Sequence, residues 1–195
     1  LRLGKVRVVM MTRDVTPIFR EEFSSESDTQ VGHVYLVGAG PGDMDLITVR
    51  GERALAAADV ILYDSLIDQR LVEDRKASLI YVGKRCGQHS MTQEQITKLL
   101  IQCARSGKKI VRLKGGDPSV FGRVGEEALA LAASEISFEI IPGVSSSVAA
   151  PALAGIPVTH RGTSDGFVTV TDHKRRGDEE LGIPRYREAT TLVLL

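Results

Sequence analysis

Loops that could hold a ligand follow several short apolar runs in the sequence. The first loop is Gly-rich, GAGPGD at 38–43, and the next apolar run ends at Asp64. Three further loops combine glycine with charged or hydroxyl residues, at 83–87, 114–118 and 142–147. Glycine lets the backbone approach a ligand, while serine hydroxyls and free backbone N–H groups supply hydrogen bonds. Loops of this composition indicate a binding site for a flat or polar molecule.

The Gly-rich loop matches a dinucleotide-binding loop only in part. Gly38 and Gly40 have the spacing of the Rossmann fingerprint, but position 43, where its third glycine would fall, is Asp. A carboxylate there would repel a pyrophosphate at the N-terminus of the following helix. Asp64 could still serve as the acid that binds a ribose. A nicotinamide dinucleotide site is therefore disfavoured, and a plain structural turn stays open as the alternative.

Positive charge is concentrated in the middle of the chain. The whole sequence is neutral, with 25 Lys and Arg against 25 Asp and Glu, yet the segment 83–123 holds nine basic and two acidic residues, a net charge of +7. Five of these cations lie at or near predicted strand ends: Lys84, Arg85, Arg112, Lys114 and Arg123. Cations in such positions could pair with carboxylates on a ligand.

The elements that must position these loops alternate between strands and helices. Helices are predicted after residue 43, from Thr92 with a capping box to Gln95, and over 125–134. Strands are predicted from short apolar runs at 34–37, 60–63, 79–82, 110–113 and 138–141. This alternation predicts an α/β fold, a parallel five-stranded sheet with helices on both faces. In such a sheet, ligands bind outside the carboxyl ends of the strands, where the loops lie.

Composition narrows the class of protein. The 195 residues include two cysteines, Cys86 and Cys103, with no CxxC pair or matching His spacing, so neither a disulfide scaffold nor a metal site is expected. Aromatic residues make up 5% and Trp is absent, which argues against nucleic-acid binding by a basic surface with stacked rings. No apolar run approaches the roughly 20 residues of a membrane helix. We expect a soluble, cytoplasmic protein in which Cys103 is a small core residue.

Several segments together resemble the tetrapyrrole methylase family, in the family's order. They are VGAGPGD at 37–43, LYD at 62–64, VGKR at 82–85, RLKGGDPSVFGRVGEE at 112–127, IPGVSSSVAAPALAGIPVTHR at 141–161 and TTLVLL at 190–195. The resemblance covers residues 32–195, and GGDPSVFGR and GIPVTHR are typical of the members that act on uroporphyrinogen III. It implies methylation of C2 and C7 to give precorrin-2 for siroheme or cobalamin, with S-adenosyl-L-methionine as methyl donor and a homodimer as the assembly.

The resemblance also implies roles for individual residues. Cofactor contacts are implied for Pro41, Gly115, Gly116, Asp117, Val120, Ser145 and Ser146, although the family's usual Thr-Ala is Ser-Ser at the last pair. Asp64 and Lys84 match the family's proposed proton acceptor and donor; a turn acid and a surface lysine are the alternatives. Contacts to substrate carboxylates are expected for Arg85, Lys114, Arg123, His160 and Arg161. For His160, a purely local hydrogen bond is the alternative.

The sequence divides into three parts. Residues 1–31 differ in character and indicate a leader, a linker or the end of a preceding domain. Residues 32–160 are expected to form the N-terminal methylase domain, and 161–195 the incomplete start of a C-terminal one. Because the family continues past TTLVLL, we expect a truncated chain that is inactive or poorly soluble alone. Two other functions stay open: methylation of another tetrapyrrole or a diphthamide precursor, and ligand binding without catalysis.

Overall fold

In the computed structural model, a parallel five-stranded sheet forms the centre of the fold. The structure describes residues 31–83, 91–171 and 190–195. The strands are β1 His33–Gly38, β2 Val60–Tyr63, β3 Ser78–Tyr81, β4 Lys109–Lys114 and β5 Phe138–Ile141. They lie in the order β3-β2-β4-β1-β5, and every neighbouring pair is parallel. The predicted sheet is confirmed. β1 and β4 are one residue longer at each end than expected, and β3 begins and ends one residue earlier.

The helices begin where local hydrogen bonds satisfy their first N–H groups. The described residues contain α1 Val49–Ala56, α2 Gln93–Arg105, α3 Val124–Ala133 and α4 Ser146–Leu153, with short 3₁₀ turns at Met44–Leu46 and Gln69–Leu71. The capping box of α2 is present as predicted: the Gln95 N–H donates to Thr92 Oγ1 at 3.2 Å, and the Thr92 N–H donates to Gln95 Oε1 at 2.8 Å. At α1, the Gly51 N–H donates to Thr48 Oγ1 at 3.1 Å.

Helix α4 was not predicted from the sequence. It has only eight residues, is rich in alanine and contains Pro151, so it lacks the apolar period that marks a surface helix. Its start does have a local signal, because Ser145 caps it by accepting a hydrogen bond from the Ser147 N–H at 3.2 Å.

The helices cover both faces of the sheet, which confirms the predicted layering. On one face, the α1 face, α1 packs with the 69–71 turn over side chains such as Val37, Ile61 and Leu113. On the other, the α2–α3 face, α2 and α3 pack over side chains such as Leu36 and Leu62. Each fully buried aliphatic side chain contributes about 1.5–3 kcal/mol of burial free energy. The two faces therefore account for most of the hydrophobic core.

Cys103 behaves as the sequence predicts. It lies in the second half of α2, is partly buried and packs against the core of the α2–α3 face. Burial raises the pKa of its thiol above the ordinary value, with a smaller opposing effect of the nearby Lys108. A thiol with a raised pKa holds less of the nucleophilic thiolate, so a packing role suits this residue.

A second, smaller sheet lies in the last part of the chain. β6 Gly166–Val170 and β7 Thr190–Leu194 form a parallel pair. The hydroxyls of Ser164 and Thr191 are hydrogen-bonded at 2.9 Å beside it. Within the described ranges, no helix combines the length and apolarity needed to cross a membrane.

Candidate active site

Three loops meet at the carboxyl edge of the five-stranded sheet, because β1 lies between β4 and β5. The loop after β1 pairs with the loop after β4: the Gly116 N–H donates to the Gly40 carbonyl at 2.7 Å, and the Gly40 N–H donates to the Gly116 carbonyl at 3.2 Å. The Ala39 N–H donates to the Lys114 carbonyl at 2.8 Å. The structure thus brings together the first Gly-rich loop and the Lys-Gly-Gly-Asp loop, as the sequence predicts.

Glycine is required where these loops touch the loop after β5. A Cβ on Gly143 would lie 2.2 Å from the Gly116 carbonyl oxygen, and one on Gly38 would lie 2.6 Å from the Gly143 Cα. Gly40 and Gly116 also have positive φ angles, +84° and +65°, which side chains with a Cβ rarely adopt. The close approach of three backbones produces a site edge made largely of main-chain groups.

Gly116 lies next to the start of α4, with room between them for a Cβ atom. A Cβ built on Gly116 would meet only the Ser146 nitrogen at 3.9 Å and the Ser145 Cα at 4.0 Å. The Ser145 hydroxyl, which caps α4, is also hydrogen-bonded to the Ser147 hydroxyl at 2.9 Å. Three of the residues implied in cofactor contacts, Gly116, Ser145 and Ser146, therefore flank one space bordered by backbone groups and hydroxyls. We refer to this arrangement as the glycine–serine cradle.

Asp117 ties the cradle together. Its Oδ1 accepts a hydrogen bond from the Ser119 N–H at 2.7 Å, and its Oδ2 accepts one from the Gly143 N–H at 3.0 Å. The side chain therefore holds the loops after β4 and β5 in place. Of the other residues implied in cofactor contacts, Pro41, Gly115 and Val120 are half-buried in the same loops.

Asp64 lies at the carboxyl end of β2, next to β4. Its Oδ1 accepts a hydrogen bond from the Leu66 N–H at 3.0 Å, and its Oδ2 accepts one from Arg112 Nη2 at 3.0 Å. The Asp64 side chain is 20% exposed and that of Arg112 is 5% exposed. The loop that Asp64 begins contacts the cradle, since a Cβ on Gly115 would lie 2.7 Å from the Leu66 Cβ. Asp64, an anchored and partly accessible carboxylate, thus begins the loop that contacts Gly115, the residue before Gly116 of the cradle.

Asp64 is connected through Arg112 to a group of buried charges. Glu127 on α3 is fully buried; its Oε2 accepts a hydrogen bond from Lys114 Nζ at 3.0 Å, and its Oε1 forms an ion pair with Arg112 Nε at 3.4 Å. The Gln93 side-chain amide also donates to Glu127 Oε1, at 2.9 Å. We call Arg112, Lys114 and Glu127 the ion cluster. Among the described residues, every buried side-chain nitrogen and oxygen has a hydrogen-bond partner.

Glu127 is a site residue that the sequence analysis missed. It follows Glu126, which is exposed, and both lie in the first turn of α3, so their letters alone do not distinguish them. The available signal is periodicity: the buried positions Val124, Ala128 and Leu131 place 127 on the same inner face. A carboxylate on an inner face needs a buried cation.

The ion cluster places Lys114, which the sequence analysis expects to contact substrate carboxylates, in the interior of the protein. Its ammonium is not a free cation at the surface, because the residue is 5% exposed and bonded to Glu127. Its position on β4 explains this, since Ile110, Arg112 and Lys114 alternate toward the α2–α3 face. Burial lowers the pKa of Lys114 below its ordinary value, with Glu127 opposing that shift and Arg112 adding to it.

The remaining predicted substrate contacts are more exposed. Arg123 forms a surface ion pair with Glu126, at 2.7 Å, and Glu126 raises its pKa. His160 and Arg161 are exposed, and His160 Nδ1 is hydrogen-bonded to the Arg161 carbonyl at 3.1 Å. This local bond matches the alternative interpretation of His160. Lys84 and Arg85 lie outside the described residues.

Over the part of the chain that the structure describes, no three His, Cys, Asp or Glu side chains are grouped so that they could hold a metal ion.

Comparison with known proteins assigns this arrangement to a family. The family described as Tetrapyrrole (Corrin/Porphyrin) Methylases matches residues 33–195. The chain belongs to the tetrapyrrole methylase family. The match begins at the first residue of β1 and includes every element described above, so the cradle, Asp64 and the ion cluster all lie within the family's domain.

Individual tetrapyrrole methylases are similar over most of this chain. The uroporphyrinogen-III C-methyltransferase of Methanocaldococcus jannaschii is 51% identical over 84% of this chain and 69% of its own length. The siroheme synthase of Ectopseudomonas mendocina is 47% identical over 84% of this chain and 36% of its own. The crystal structure of a Thermus thermophilus uroporphyrin-III C-methyltransferase complexed with S-adenosylhomocysteine has 43% identity and a TM-score of 0.65, over 76% of this chain and 59% of that one. This chain thus spans 36–69% of the length of these tetrapyrrole methylases.

Proposed function

We propose that this chain contributes the methyl-donor site and the proton acceptor of an S-adenosylmethionine-dependent uroporphyrinogen-III C-methyltransferase. The reaction would methylate C2 and C7 and give precorrin-2, the precursor of siroheme and cobalamin. The observation that carries the proposal is the position of Asp64, a carboxylate anchored by Arg112 at the start of the loop that contacts Gly115, next to the glycine–serine cradle. The similarity to uroporphyrinogen-III C-methyltransferases at about half of all positions supports it.

The chemical groups of the cradle suit the polar parts of the methyl donor. Backbone groups of Gly115 and Gly116 and the hydroxyls of Ser145 and Ser146 would bind its polar parts, with Pro41 and Val120 as the apolar side of the site. Asp117 would keep the two loops at their spacing through its bonds to Ser119 and Gly143. When bound, S-adenosylmethionine supplies a methyl group on an already activated sulfonium. Most of the catalytic task of this chain is then alignment of the accepting carbon.

Asp64 is the group suited to the proton that the reaction must remove. Methylation of a pyrrole carbon leaves the ring with a proton to lose, and a carboxylate within reach can take it. Arg112 and the Leu66 N–H each bond one oxygen of Asp64, which fixes its orientation. Lys84 is the proposed proton donor of the pair.

Exposed cations are proposed to recognise the substrate's carboxylates. Arg85, Arg123, His160 and Arg161 are the candidates, while Lys114 would contribute positive potential from the interior. We further propose that the protein is a cytoplasmic homodimer. Residues 32–160 would form its N-terminal methylase domain, and 161–195 would begin a C-terminal domain to which β6 and β7 belong.

Replacement of Asp64 tests this proposal in the full natural protein. We expect Asp64→Ala and Asp64→Asn to slow precorrin-2 formation by about 10²–10⁴-fold, because a general base is lost. Binding of S-adenosylhomocysteine, measured by titration calorimetry, should stay within about twofold of the wild-type Kd, because the cradle is untouched. Asp68→Asn is the matched control: Asp68 also bonds the N–H two residues on, but its arginine partner, Arg70, is exposed.

Each outcome separates the candidate functions. Wild-type turnover in both Asp64 variants would contradict the assigned role. Binding of S-adenosylhomocysteine without methyl transfer by the wild type would support a ligand-binding protein of the same fold. Faster methylation of another precorrin or of a diphthamide precursor, assayed side by side, would reassign the substrate.

A further inference from the structure

The ion cluster contains a buried carboxylate that the proposed reaction does not use. Glu127 is 0% exposed and lies on the inner side of α3, where its neighbours Ala128 and Leu131 are apolar and equally buried. Removal of charges from water is costly, and a set of apolar side chains in place of a whole buried ion cluster is often at least as stable. Packing alone therefore does not account for a glutamate here.

The bonds of Glu127 lead toward Asp64. Arg112 lies between the two carboxylates, with Nε toward Glu127 Oε1 and Nη2 bonded to Asp64 Oδ2. Its remaining terminal nitrogen, Nη1, donates to the Leu113 carbonyl at 2.8 Å. The guanidinium is planar, so these contacts in three directions leave it little freedom to turn.

The sheet register shows why Arg112 needs a partner beneath it. Arg112 is paired with Leu36 on β1 and Leu62 on β2, so it interrupts an apolar row of the α2–α3 face. Without Glu127, its guanidinium would keep Asp64 as its one carboxylate partner among the contacts described, and Asp64 is partly open to water. The guanidinium would then move together with the Asp64 side chain and would no longer fix its orientation.

We propose that Glu127 is a positioning residue for Asp64, acting through Arg112. Glu127 holds the guanidinium from the buried side, and the guanidinium in turn fixes Oδ2 of Asp64 at the edge of the cradle. Lys114 completes the arrangement by neutralising the second oxygen of Glu127, and Gln93 attaches it to the start of α2. This inference rests on the proposed role of Asp64 as proton acceptor.

A double-mutant cycle in the full natural protein tests the coupling. We expect Glu127→Gln to lower kcat by more than tenfold and up to about a hundredfold, since a misplacement near 1 Å can have that effect. KM for the tetrapyrrole and the Kd of S-adenosylhomocysteine should change by less than about twofold. In the Asp64→Asn background, Glu127→Gln should lower kcat no further, because the group that it positions is already gone.

A matched glutamate provides the control. Glu52 also lies in the first turn of its helix, α1, and forms a bidentate ion pair with Arg75 at 2.7 and 2.8 Å, on a side chain that is 45% exposed. Glu52→Gln should leave kcat and both binding constants unchanged. A second variant, Lys114→Met with Glu127→Gln, removes one buried positive charge together with the negative one. It keeps the test valid if Glu127→Gln alone is poorly folded.

The mobility of the Arg112 side chain can be measured independently of turnover. Rotation of the Arg112 guanidinium, measured by ¹⁵N nuclear magnetic resonance, should be slow in the wild type and faster in Glu127→Gln and in the double variant. Unchanged rotation would overturn the inference.

The kinetic outcomes separate the inference from the proposed function. If Asp64→Asn is slow but Glu127→Gln has wild-type kcat, the positioning role is wrong while the proton acceptor stands. Equal losses from Glu127→Gln with and without Asp64 would indicate a merely structural role. Wild-type kcat in Asp64→Asn would instead contradict the proposed function.

Discussion

The two faces of the five-stranded sheet share the same strands but differ in chemistry near the carboxyl edge. On the α1 face, a row across the sheet reads Tyr63, Leu113, Val37 and Ile141. The adjacent row on the α2–α3 face reads Leu62, Arg112, Leu36 and Ile140. The two rows are one residue apart along each strand, yet the first contains no charged side chain and the second contains a guanidinium.

The difference indicates a division of tasks. The α1 face excludes water and contributes burial free energy. The α2–α3 face does the same except at the ion cluster, where charged side chains replace apolar ones. There, two cations and a carboxylate are buried, and each of their buried nitrogen and oxygen atoms has a hydrogen-bond partner. Such an arrangement adds little net stability over an apolar one, but it holds its members in defined positions. The cluster lies directly under Asp64, where a defined position matters.

The largest expected effect on stability comes from removal of the one negative charge in the cluster. Glu127→Leu should lower the free energy of unfolding by about 3–5 kcal/mol, because Arg112 and Lys114 lose their buried counter-charge. Urea denaturation followed by circular dichroism measures it. A loss below about 1 kcal/mol would show that water or a rearranged side chain compensates the cations.

A triple variant sharpens this result. Arg112→Met, Lys114→Met and Glu127→Leu together make the α2–α3 face as apolar as the α1 face. Stability should return to the wild-type value or exceed it by up to about 4 kcal/mol, while methyl transfer stays slow because Asp64 has lost its anchor. Recovery of full activity together with stability would contradict the division of tasks.

A smaller effect is expected from the α1 face. Ile61 is fully buried there, and Ile61→Val should lower the free energy of unfolding by about 0.5–1.5 kcal/mol through the loss of one methylene. In the folded protein, kcat and the Kd of S-adenosylhomocysteine should not change, because Ile61 packs away from the ion cluster. A fall in kcat at saturating substrate would mean that the two faces are not separable.

The smallest effect is a dependence on pH. Burial lowers the pKa of Lys114 in the folded protein, so between that lowered value and the ordinary 10.5 the unfolded chain binds more protons than the folded one. The stability of the wild type relative to Lys114→Met should therefore rise with pH across that window and level off above it. Denaturation curves of both proteins at several alkaline pH values measure this difference, and a decrease would contradict the lowered pKa.

Much of the fold was predictable because local rules decide it. Five apolar runs became five strands, four of them followed by glycine or proline within two residues, and Thr92 with Gln95 formed the capping box of α2. α4 was not predicted, because a helix with several alanines and an internal Pro151 lacks a clear apolar period. Its start depends on the Ser145 cap. The family's motifs indicated Asp64 and the cradle loops, whereas nothing local distinguished Glu127 from Glu126.

The sequence by itself determined the parallel α/β sheet, the loops at its carboxyl edge and the family. These follow from periodicity, end signals and motifs, which act over a few residues at a time. Only the tertiary structure decided which charges face a ligand and which face one another. Arg112, Lys114 and Glu127 come from β4 and α3, and the burial of a charge depends on what packs over it. The positive segment at 83–123 therefore includes two cations, Arg112 and Lys114, that are buried in the fold and paired with Glu127.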